Sequence, residues 1–123
     1  MMDQPSILEL VTAVRDFLEQ RAMPELKGHT AFHARVAANA LGIVARELEY
    51  GGGAGEAERA RLVGLLGHDG RLEALNRELC AAIREGRLDL ETPGLADHLA
   101  LTTRDKVAID QPGYGGLRRY LAD

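Results

Sequence analysis

Cysteine is nearly missing from this 123-residue chain. The one thiol, Cys80, rules out an internal disulfide framework and fits a reducing compartment, so a cytoplasmic protein is expected. Tryptophan is absent and aromatics make up only 4% of the chain. The core must then be built from Leu, Val, Ile and Ala, which favours close helix packing over an aromatic ligand pocket. No stretch approaches the roughly 18 uncharged apolar residues of a membrane span. The start, MMDQPSILEL, sets no basic region before an apolar stretch, so no signal peptide is expected. No run of Lys and Arg occurs, and the formal charge of −4 speaks against a nucleic-acid partner. Period-two alternation is missing as well, which predicts no sheet. The glycines at 51–55 follow no strand and lack the Lys-Ser/Thr ending of a phosphate loop, and no Gly-x-Ser-x-Gly is present.

What remains is 46% hydrophobic, within the usual size of one domain. Ser6-Ile7-Leu8-Glu9 is a capping box, and Ile7, Leu10, Val11, Val14, Phe17 and Leu18 continue it as one apolar stripe. Pro24 breaks or kinks that helix near its end. A second helix runs from Gly28–Thr30 to glycines 51–53, roughly 33 Å long. GGGAGEAE is expected to be a flexible joint, too short to separate domains. Glu56 and Glu58 then suit the first turn of a third helix, whose buried part is Leu62, Val63, Leu65 and Leu66. GHDG at 67–70 interrupts the pattern, with Asp69 as the expected N-cap of a fourth helix. Leu72, Leu75, Leu79, Ala82 and Ile83 are the stripe of that helix, and Gly86 is its C-cap. Cys80, beside the stripe, reads as a small core residue. Thr92-Pro93 opens a fifth helix through Leu95, Leu99, Thr102, Lys106 and Val107. After a Gln111–Gly116 turn, Leu117 to Leu121 add a last helical turn. Tyr114 and Tyr120, beside Arg118 and Arg119, dock on the chain's own body or on a partner.

The second helix carries most of the chemistry. At about 100° per residue, Phe32, Val36, Ala40, Ile43 and Val44 define its apolar face, with His29, His33 and Glu47 falling within it. His29 and His33 have the spacing of a shared ion, but two histidines need a third ligand from elsewhere. Arg35, Asn39 and Arg46 line one flank. Arg35 and Asn39 read either as a polar network fixing helix register or as the edge of a partner groove, with an acid such as Asp105 available to pair with the guanidinium. His33, Arg35, Asn39 and Asp105 are therefore the candidate network or partner edge. A second set, His33, His68, Asp69 and Asp105, occurs in the chain order of the helical HD-domain metal phosphohydrolases. The glycines around His68-Asp69 suggest a loop or cap instead.

AFHARVAANALGIVARELE (31–49), HDGRLEALNRELCAAIREGRLDL (68–90) and RDKVAIDQPGY (104–114) together resemble a bacterial helical domain family of unknown function. Its members stand alone or are fused to the C-terminus of aminoglycoside-phosphotransferase-like kinases, and are encoded near acyl-CoA dehydrogenases. The Phe-His-Ala-Arg-Val-Ala-Ala-Asn run at 32–39 is the most recognisable piece. In the closing segment the family's Pro-x-Tyr is often preceded by Asn, where this chain has Gln111. The family has no established catalytic residues, so the resemblance assigns none here.

The expectation is an all-α, single-domain bundle of four to five mainly antiparallel helices over residues 1–123, with the first two long helices at its centre. The expected role is a non-enzymatic accessory or partner-binding domain of a kinase-like phosphotransferase, serving acyl-CoA metabolism. The partner is such a kinase, an acyl-CoA dehydrogenase or a second copy of the chain, and no cofactor is expected. The alternative is a small metal-dependent phosphohydrolase of HD-domain type.

Overall fold

A computed structural model describes residues 3–123 and shows helices and connecting turns, with no strand among the described residues. The all-α class expected from the periodicity is what the structure has. The chain forms two compact units, residues 1–51 and 52–123.

The first unit is a helical hairpin in which α1 (Ile7–Phe17) packs against α3 (Gly28–Arg46). A π-helical turn, Leu18–Ala22, and a short α2 (Met23–Glu25) join them. The capping box is formed as the sequence spells it. Glu9 N–H donates to Ser6 Oγ at 3.1 Å, and Ser6 N–H donates to the Glu9 carboxylate at 2.6 Å. These bonds hold the Glu9 carboxyl below its ordinary pKa. Pro24 follows the π-helical turn near the end of the helical run from Ile7 to Glu25, and the chain leaves the helix at Leu26 in extended conformation.

The face of α3 that meets α1 is not the predicted one. Ala38 and Gly42 are its buried residues, and Ala31, Ala34 and Ala45 beside them are half-buried. Phe32, Val36 and Val44, predicted as core, are exposed. The small row lets two backbones approach closely, which larger side chains would prevent. A Cβ on Gly42 would sit 3.2 Å from the Arg15 guanidinium carbon. No residue of α1 is buried, so the expected centre at the first two long helices is also corrected.

The glycines after Tyr50 are helical, and the division between the two units falls among them. Glu47–Gly51 is a second π-helical turn, and α4 (Gly52–Leu66) begins at the next residue. Each glycine costs about 1 kcal/mol against Ala in a helix interior. Helix propagation from the good formers on either side outweighs that cost here.

The second unit holds the larger apolar core. Leu62 of α4, Leu75 and Leu79 of α5 (Leu72–Arg84) and Leu95 of α6 (Leu95–Asp110) are buried together, with Val63, Leu65, Leu66, Leu72 and Leu88 packed around them. Gly86 closes α5 as expected. Its φ of 73° is left-handed, and Arg87 N–H and Leu88 N–H turn back to the Ala82 carbonyl. The α6 start lies later than Thr92-Pro93 predicts. Gly94, at φ 86°, is its N-cap, while Thr92 Oγ1 accepts from Asp89 N–H at 3.0 Å inside the preceding turn. The last helix, α7 (Gly115–Ala122), packs on α6 through buried Leu117. Cys80 is exposed, on the outer side of α5, and does not belong to the core.

Candidate functional site

Two features of the second unit bring chemically active side chains together. The first is a buried polar network on three helices. Glu58 stands on α4 one turn before Leu62, and Arg61, three residues after Glu58, adjoins Leu62, so the turn that supplies the core leucine also carries these charges. The Glu58 carboxylate accepts from Asn76 Nδ2 of α5 at 2.9 Å. Arg61 reaches α6 with both arms. Its Nε donates to His98 Nδ1 at 3.4 Å and its Nη2 donates to Thr102 Oγ1 at 3.1 Å.

His98 is 2% exposed. Accepting at Nδ1 leaves the proton of the neutral ring on Nε2. Burial lowers the imidazole pKa, the Arg61 and Lys106 charges lower it further, and the Glu58 carboxylate opposes them. The cationic ring is thus disfavoured both by lost hydration and by its nearest cation. With its polar atoms satisfied, the network can fix the register of α4 against α5 and α6. Sequence inspection missed it. Glu58 reads as a first-turn acid favoured by the helix dipole, and His98 in DHLALTT has no motif around it. The available signal was spacing: Glu58 stands four residues before Leu62 on the same face, and His98 stands three residues after Leu95.

The second feature is a groove of about 410 Å³ between α6 and α7. Leu99, Val107 and Leu117 give it apolar walls, and Tyr114 and Tyr120 stand half-exposed at its edge. A Cβ on Gly116 would run into the Tyr114 ring, so the glycine lets that ring lie against the start of α7. Arg104 also lines the groove, but Asp105 occupies its guanidinium at 2.6 and 2.8 Å. Arg118 is turned back to the Gly113 carbonyl. The tyrosines, offered to either the body or a partner by the sequence, thus line a groove whose walls are apolar and whose arginine is already paired.

The predicted site residues fall elsewhere. Asp105 is paired with Arg104, not with Arg35, because adjacent positions on α6 already bring the two groups into contact. Arg35 and Asn39 are exposed on α3. His33 is exposed too, edge-on to the Phe32 ring at 5.5 Å between centroids. His68 and Asp69 are each engaged with other partners. His68 Nε2 meets the Glu78 carboxylate at 2.7 Å, which with the Asp69 carbonyl raises the imidazole pKa. The Asp69 carboxylate accepts from Gly70 N–H at 2.7 Å and pairs with Arg59, and both lower its pKa. It does not cap α5, whose N-cap is Arg71 without a side-chain bond. GHDG is therefore a surface clasp between α4 and α5. No group of three or more His, Cys, Asp or Glu among the described residues is arranged to hold a metal ion, so His33, His68, Asp69 and Asp105 do not form the hydrolase set.

A small all-α protein with a structural polar core and an apolar groove is the class these observations define. Residues 24–114 match the family described as Domain of unknown function (DUF6285), and the chain belongs to that family. No curated protein and no solved structure matches it. No helix is long and apolar enough to cross a membrane among the described residues.

Proposed function

We propose that the chain is a non-enzymatic accessory domain, placed in the cytoplasm, that binds a kinase-like phosphotransferase and serves acyl-CoA metabolism. The α6–α7 groove is its contact surface. The observation that carries this reading is the make-up of the groove: apolar walls, two half-exposed tyrosines, and an arginine already neutralised by Asp105. Amphipathic rings at the rim of an apolar recess suit a partner's side chain, with the ring edges apolar and the hydroxyls wet. The choice of partner rests on the resemblance to a family whose members are fused to such kinases. Part of that resemblance, residues 104–114, supplies Arg104, Val107 and Tyr114 to the groove.

The test is calorimetric titration of the purified chain into the phosphotransferase encoded beside it, with the neighbouring acyl-CoA dehydrogenase as a parallel arm. Saturable binding to the kinase is expected, and Tyr114→Ala should weaken it about tenfold or more. Absence of binding, or binding to the dehydrogenase alone, would overturn the kinase assignment. Binding that Tyr114→Ala and Leu99→Asp both leave unchanged would remove the groove from it.

A further inference from the structure

We propose that the apolar side of the α1–α3 hairpin seats a second copy of this chain, the two hairpins meeting face to face about a two-fold axis. This surface lies in the first unit and is independent of the α6–α7 groove. At about 100° per residue, Ile7, Leu10, Val14 and Phe17 share one side of α1, and each is 41–59% exposed. Arg15, whose guanidinium lies beside Gly42 of α3, stands on another side, so the apolar stripe points away from the hairpin seam. For two antiparallel right-handed helices, the side of α3 that continues this surface carries Val44 and, in the π-helical turn beyond, Leu48. Those two are 43% and 45% exposed. The opposite side of the hairpin carries Arg35 and Asn39.

Three observations favour a copy of the same chain as the occupant. The first is area. Six side chains left half-uncovered amount to on the order of 500 Å² of apolar surface, at the top of what a stable monomer shows. With a polar rim, that approaches the roughly 800 Å² per partner of a standard interface. The second is charge. The chain has a formal charge of −4, so two copies repel over most of their surface, yet Glu9, Asp16 and Glu19 lie well round α1 from the stripe. On α1 the face carries no carboxylate and can meet itself, while exposed Glu47 and Glu49 flank Leu48 at its other edge. The third is the hairpin's own interior: its buried positions are Ala38 and Gly42, with no large side chain among them. A two-helix unit with so little buried apolar surface gains its stabilisation from whatever covers it.

The test is sedimentation velocity of the full chain from low micromolar to sub-millimolar concentration. A reversible monomer–dimer equilibrium is expected, with dimer predominant at the upper end. Val14→Lys places like charges opposite each other across the axis and should leave a monomer with unchanged helical circular dichroism. Val14→Cys in a Cys80→Ser background gives a second readout, immune to loss of folding in the lysine variant: air oxidation should yield a disulfide-linked dimer much faster than Asp16→Cys in the same background. A monomer at every concentration would overturn the proposal. So would a folded Val14→Lys that still dimerises, or equal cross-linking at positions 14 and 16.

Discussion

His98 is the residue whose environment has the clearest measurable consequence. Its pKa is lowered in the fold from an ordinary value of 6.5. The unfolded chain therefore binds a proton more readily than the native one does between those two values. The stability contributed by neutral His98 is fully present above about pH 6.5 and is lost as pH falls through the lowered native value. Urea midpoints should decline from pH 7.5 toward pH 5. His68 works in the other direction. Its raised pKa adds stability below the ordinary value that is lost as pH rises, and its exposed position keeps that contribution small. The two are separable by mutation. His98→Ala should cost about 2–4 kcal/mol, from a cavity plus an arginine left without its acceptor, and should flatten the acid limb of the urea series. Glu78→Gln should leave that limb intact. An acid limb unchanged in His98→Ala would remove His98 from its cause.

At the scale of elements, the hairpin seam makes an equally sharp prediction. Ala38 is 1% exposed where α1 and α3 meet. Ala38→Leu should destabilise by about 1–3 kcal/mol, because the larger side chain can be admitted only by moving a helix. A substitution at exposed Arg35 should stay within about 0.5 kcal/mol. Thermal melts by circular dichroism compare the two directly. The same seam shows why part of the fold was legible and part was not. Features decided within one turn were readable: the Ser6–Glu9 box, the left-handed Gly86 and the break at Gly67 follow from the chemistry of a few neighbours. Which face of a long helix turns inward depends on its partner. In α3 two faces compete, one with larger apolar side chains and one with alanines and Gly42, and hydrophobicity alone favours the wrong one. The same reasoning explains Gly51–Gly53, read as a joint by local propensity and held helical by the neighbours on each side. The candidate site was less legible still. Arg35, Asn39 and the His68-Asp69 pair attract notice as polar residues in memorable company, whereas Glu58 and His98 are distinguished only by burial, a property of the packed helices.

Across the whole molecule, stabilisation is unevenly spread. The largest buried side chains, Leu62, Leu75, Leu95 and His98, all belong to residues 52–123. Amide hydrogen exchange should therefore be slowest in α4, α5 and the first turns of α6, and faster along α1. Leu62→Ala should cost about 2–5 kcal/mol and speed exchange in all three slow helices together. Exchange slowest in α1 would contradict this ranking. The alanine row of α3 carries a consequence for how related sequences can diverge. Its constraint is on volume and not on chemical character. Across relatives, positions 31, 34, 38, 42 and 45 should admit only the smallest residues, glycine and serine included, while the basic flank at 35 changes freely. The least conspicuous letters in the run that makes this chain recognisable are then the ones with the least room to vary.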